Sequence, residues 1–87
     1  MEIKFTPTAF SDRDFWKTSG QKQIVNKISS LLADIAEHPE TGIGKPEALK
    51  YNLSGMWSRE INKKNRIVYE IKEDYVLIHS MKGHYEE

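Results

Sequence analysis

The sequence predicts an α+β fold in which two N-terminal helices pack on one face of an antiparallel sheet, in the order β-α-α-β-β-β-β. Three observations predict it. Ile24, Val25, Ile28, Leu31, Leu32, Ile35 and Ala36 recur at helical spacing and form one broad apolar face. From Leu49 onward the period shortens, and β-branched and aromatic residues become common. The segments dividing this second half, Asn52-Leu53-Ser54-Gly55, Asn62-Lys63-Lys64-Asn65 and Glu73-Asp74, are polar and short enough for antiparallel hairpins.

Residues 2–5 alternate weakly and give a first strand. Thr6 then caps a helix and Pro7 takes its first position, so a helix is expected over residues 7–17. Thr18-Ser19-Gly20-Gln21 breaks it, and Thr18 with Gln21 offers a capping box for the second helix. That helix carries the apolar stripe and is ended by Pro39. Further strands are expected at about residues 47–51, 56–61, 65–72 and 75–82. A sheet covered by helices on one face leaves the other open, and a site can form there.

A chain of 87 residues is read as one domain, residues 1–87, with a thin core. A hydrophobic fraction of 38% with 30% charged residues suits an ordinary globular protein rather than a disordered or membrane one. No apolar run approaches the ~18 residues of a membrane span, and the N-terminus lacks a secretory pattern. There is no cysteine, which excludes disulfides and thiolate chemistry and fits the expected cytoplasmic location. The formal net charge is zero, which argues against holding nucleic acid by bulk electrostatics alone. The charge is uneven, however: between Lys45 and Arg66 six basic residues face two acidic ones, a local charge of +4.

The stretch Gly42-Ile43-Gly44-Lys45 has the look of a phosphate cradle. It lacks the earlier glycine and the hydroxyl residue after the lysine, where Pro46 stands instead, and it follows a helix rather than a strand. His38, His79 and His84 show no metal-ligand spacing, so no metal and no cofactor is expected. What remains is one carboxylate, several cations and a His-Tyr pair: Glu47, Lys50, Arg59, Arg66, His84 and Tyr85. RNA carries its own nucleophile, the 2′-hydroxyl next to the phosphate. Cutting it needs a base for that hydroxyl, an acid for the leaving 5′-oxygen and cations for the charge on phosphorus. These residue types fill those roles, with Lys50, Arg59, Lys63 and Lys64 as candidate RNA contacts. Trp57 and Tyr69 can stack on bases, but in so small a domain a core position is favoured.

The run GKPEALKYNLSGMWSREI, followed by NRIVYEI and the late His84-Tyr85 pair, resembles the YoeB branch of the RelE-like bacterial toxins over nearly the whole chain. The resemblance implies a microbial-ribonuclease-like fold and a ribosome-dependent messenger-RNA endoribonuclease, metal-independent, neutralised by a cognate YefM-like antitoxin. It implies Glu47 as general base, His84 as general acid and Arg66 as the arginine on the phosphate. Tyr85 matches the terminal tyrosine of the site, a supporting or alternative acid, and Lys50 a supporting cation. The implied partners are the 70S ribosome with its mRNA, the antitoxin and a second copy of the chain in a homodimer.

Three features depart from the family pattern. Where several relatives carry a second basic residue after Trp-Ser-Arg, this chain has Glu60; alternation turns Arg59 toward the core with Trp57 and Ile61, and Glu60 toward the site. Lys82-Gly83 is less bulky than the usual pair, and Glu86-Glu87 extend past the His-Tyr end. An alternative therefore stays open: a catalytically silent relative that binds an antitoxin or an operator.

Overall fold

The computed structural model describes residues 1–83. Strand β1, Glu2–Phe5, leads into helix α1, Pro7–Thr18, whose start follows the sequence closely. The Thr6 hydroxyl accepts the Ala9 N–H at 3.1 Å, Pro7 opens the first turn, and the same hydroxyl donates to the His79 carbonyl at 2.9 Å. Helix α2, Lys22–Glu37, follows. The expected Thr18–Gln21 capping box does not form: the Thr18 hydroxyl donates back to the carbonyls of Asp14 and Phe15, and Gln21 is an N-cap with no side-chain bond. Thr18 still belongs to α1, so its hydroxyl finds acceptors one turn back within its own helix.

The second half gives β2 (Glu47–Ala48), β3 (Met56–Glu60), β4 (Arg66–Ile71) and β5 (Tyr75–Ser80). One five-stranded sheet results, in the order β1-β5-β4-β3-β2. The short turns make β2 through β5 antiparallel, while β1 joins the edge of β5 in parallel, Ile3 opposite Val76. The strand expected over 47–51 is cut short. Leu49 N–H still reaches the Met56 carbonyl, but Tyr51 turns to a φ of 55° and opens a single 3₁₀ turn, Tyr51–Leu53.

Both helices lie on one face. Leu31 and Ile35 of α2 and Ala9 and Trp16 of α1 pack on Ile67, Tyr69, Val76 and Ile78 of the sheet. Tyr69 is fully buried and Trp57 packs against this cluster, so both are core residues, as the size of the domain suggested. Truncating a residue such as Leu31 in a core this thin costs about 2–5 kcal/mol. The opposite face has its own small buried floor of Leu49, Ser58 and Val68, outside the main cluster. Among the described residues no helix is long and apolar enough to cross a membrane.

Candidate active site

The loop from α2 to β2, residues 38–46, brings Glu47 to the open face, and a single buried arginine holds that loop in place. Arg59 is fully buried on the helix side of β3. Its Nη1 donates to Asp34 Oδ2 at 2.6 Å and to the Ile43 carbonyl at 2.8 Å. Its Nη2 donates to the carbonyls of His38 and Thr41, and its Nε to the Tyr69 hydroxyl at 3.0 Å. That hydroxyl in turn donates to the Pro39 carbonyl at 2.6 Å. Arg59 is thus removed from the candidate RNA contacts, because all its donors are spent inside the protein. Alternation with Trp57 and Ile61 carried the correct face.

Gly42, at a φ of 125°, lets the loop pass over Asp34: a Cβ there would lie 1.9 Å from Asp34 Oδ2. The Ile43 N–H donates to the same oxygen at 3.1 Å. One step further the Gly44 carbonyl accepts the Glu60 N–H at 2.6 Å, which ties the loop to the end of β3. The glycines therefore serve close approach and turning, not phosphate binding. The Arg59 bond, first, and the Ile43 N–H hold the Asp34 carboxyl below its ordinary value of 3.8, against the opposing effect of burial. Burial pushes the Tyr69 phenol above its ordinary value, with the Arg59 bond working the other way.

Past the loop, Lys45, Pro46, Glu47 and Arg66 line one shallow cleft of about 320 Å³. The register explains the meeting: Glu47 lies opposite Ser58 on β3, and Arg66 of β4 lies opposite Glu60, two residues further along the same face. Directly opposed side chains on one face sit about 5 Å apart at Cβ, with diagonal neighbours about 7–8 Å apart. The carboxylate and the guanidinium thus stand across one strand from each other. Between them, the buried Ser58 hydroxyl makes no hydrogen bond among the described residues. Glu60 does face the site: its Oε1 lies 3.6 Å from both Arg66 Nη2 and Lys45 Nζ.

Lys50 follows β2 as an exposed residue outside the cleft lining, and Lys63 and Lys64 are exposed on the β3–β4 turn, also outside it. His84, Tyr85 and the Glu86-Glu87 tail lie outside the described residues. Gly83, the residue before His84, is held against the start of β4: its carbonyl accepts the Arg66 N–H at 3.1 Å and its N–H donates to Asn65 Oδ1 at 2.8 Å. Upstream, Met81 is pinned to α1 by Trp16 Nε1, 2.7 Å from its carbonyl, and by Asp12 Oδ2, 2.9 Å from its N–H. Lys82 places its ammonium 4.0 Å from the Phe15 ring centroid. Sequence reasoning set Lys45 aside together with the rejected phosphate cradle and left it out of the candidate site, yet it lines the cleft next to Glu47.

A second ionic group on β4 and β5 was not singled out from the sequence. Glu70 meets Lys72 Nζ at 3.0 Å and His79 Nε2 at 3.1 Å. Those bonds, Lys72 first, hold the Glu70 carboxyl low, and Glu70 raises the Lys72 ammonium. Among the described residues no group of three or more His, Cys, Asp or Glu is arranged to hold a metal ion.

Residues 5–85 match the family model described as the YoeB-like toxin of bacterial type II toxin-antitoxin systems. The Toxin YoeB of Synechocystis is 44% identical over 86 residues, 99% of each chain. The solved YoeB/ParE toxin from Agrobacterium tumefaciens superposes with a TM-score of 0.91 at 31% identity, over 98% of this chain and all of that one. YoeB of Staphylococcus aureus, 42% identical over 98% of each chain, is solved in a heterotetrameric YoeB–YefM complex and as a dimer, with TM-scores of 0.85 and 0.86.

Proposed function

Because the chain belongs to the YoeB-like toxins of bacterial type II toxin-antitoxin systems, we propose that it is a single-domain, metal-independent endoribonuclease that cuts messenger RNA in the ribosomal A site. The observation that carries this reading is the cleft in which Glu47 and Arg66 meet on the open face of the sheet. Glu47 takes the proton of the 2′-hydroxyl, the freed oxygen attacks the adjacent phosphorus, and Arg66 offsets the charge that builds on the phosphoryl oxygens. His84 returns a proton to the departing 5′-oxygen, with Tyr85 as supporting or alternative acid, leaving a 2′,3′-cyclic phosphate. The hold of Gly83, the residue before His84, on the Arg66 backbone supports His84 in this role. Lys50, Lys63 and Lys64 contact RNA or the ribosome.

Zero net charge suits a substrate delivered by the ribosome. A protein without a strong field binds naked RNA weakly and gains most from a partner that orients it. The same substrate places the toxin in the cytoplasm. The Staphylococcus aureus complex and dimer support a YefM-like antitoxin and a homodimer as partners.

Purified protein added to programmed ribosomes, with mRNA 5′ ends mapped by primer extension, is expected to give codon-positioned cuts. Glu47→Gln, Arg66→Ala and His84→Ala are each expected to lower the rate at least a hundredfold, in line with general acid–base and charge-stabilising contributions. If all three cut as fast as the parent, the assignment of roles is wrong. The pairing of Glu60 with Arg66 favours a second reading, a silent antitoxin-binding or operator-binding module. Absence of cuts by the parent at stoichiometric protein selects it.

A further inference from the structure

Glu60 stands where a phosphate would be welcome. Its carboxylate is 3.6 Å from each of two cations that line the cleft, Lys45 and Arg66. The arrangement is built rather than incidental. Glu60 is paired with Arg66 in the β3–β4 register, and its own N–H holds the Gly44 carbonyl at 2.6 Å, fixing the backbone just before Lys45. Lys45 itself sits at a φ of 54°, a left-handed conformation that a lysine adopts only when its surroundings hold it. The Glu60 and Arg66 side chains are only 24% and 23% exposed, so their attraction is less screened than that of a surface pair.

We propose that Glu60 is a specificity-determining residue: a built-in anion that competes with the RNA phosphate for Lys45 and Arg66. A phosphodiester carries the same single charge and offers the same kind of oxygen acceptor. It reaches the two cations only by displacing the carboxylate or by sharing them with it. Free RNA at low concentration loses that competition. RNA fixed in place by a large partner wins it, because its effective concentration in the cleft is far higher. The proposal rests on the nuclease reading for its meaning, but its physical content is anion competition and is measured separately.

The test is equilibrium binding of a fluorescein-labelled, fully 2′-O-methylated RNA oligonucleotide, which cannot be cut, to parent, Glu60→Gln and Glu60→Ala proteins across a potassium chloride series. Both variants are expected to bind about three- to tenfold tighter, with the slope of log affinity against log salt steeper by about one, as for one more cation available to phosphate. Lys45→Ala is expected to weaken the Glu60→Gln protein more than the parent, since only there is the ammonium released to the RNA. Equal or weaker binding by both variants, an unchanged slope, or no measurable binding by any of the proteins overturns the proposal. A purely structural Glu60 would lower the melting temperature and leave the slope alone. If the parent fails to cut programmed ribosomes, the nuclease reading falls while the binding series still decides the role of Glu60.

Discussion

A guanidinium wholly out of water is tolerated only when its donors are used, and Arg59 uses all five: on Asp34, three loop carbonyls and the Tyr69 hydroxyl. Removing one partner of such a cluster leaves the others unpaired in a dry place. Arg59→Met is therefore expected to cost about 3–5 kcal/mol in urea unfolding. Its RNA cleavage should fall as well, because the loop leading to Glu47 loses its anchor. Glu47→Gln is expected to lose cleavage while the fold persists, so the two variants separate support from chemistry. At this scale the sequence was partly legible. Glu47 and Arg66 were identified from the chemistry that RNA cleavage needs and from the motif resemblance, and the structure brings them to one cleft. Arg59 was counted among the RNA contacts because an arginine in a basic stretch is ordinarily solvated. Period-two alternation already gave it the core face, but no local pattern shows that five acceptors converge there.

Between elements, Asp34 is the joint. It stands on α2, accepts from Arg59 on β3 and receives the Ile43 N–H of the intervening loop. Its carboxyl is held below the ordinary value chiefly by the Arg59 bond, so the folded state binds its proton less readily than the unfolded chain does. The stabilisation is complete above the unfolded value and is lost as pH falls through the lower folded one. Stability is thus expected to decline below about pH 4, and Asp34→Asn, less stable at neutral pH, is expected to show a shallower decline over that range in chemical denaturation. Glu70 adds a second acid-sensitive contribution of the same sign, through Lys72 and His79. Of the elements themselves, α2 was legible because its apolar stripe outlasts three turns, and β3 to β5 because polar turns separate them. The end of β2 was not. Residues 47–51 were expected to run as one strand, yet Tyr51 turns left-handed to start the 3₁₀ turn, a choice made by the surrounding fold. Nor did any local signal name the partner of β1, whose pairing with β5 spans almost the whole chain.

For the molecule as a whole, the sheet protects its edges cheaply: β2 is two residues long, and β1 carries Glu2 and Lys4. The interior position is the more telling one. β5 lies between β1 and β4, parallel to the first and antiparallel to the second, and the Thr6 hydroxyl at the head of α1 reaches a carbonyl 73 residues later. Chains are made from the N-terminus, and domains fold as units once their parts are present. Until β5 has been made, β1 has no strand to join and β4, which presents Arg66, is braced on one side only. Ribosome-bound chains stalled before Tyr75 are accordingly expected to be digested at once by a broad protease, while the released protein resists. A protein proposed to destroy messages in the ribosome is in this way expected to stay incompletely folded during its own manufacture. An unfinished chain without β5 leaves β4, and with it Arg66, unsupported on one side, so strand order is expected to delay a firm cleft, a safeguard in time that would precede any antitoxin.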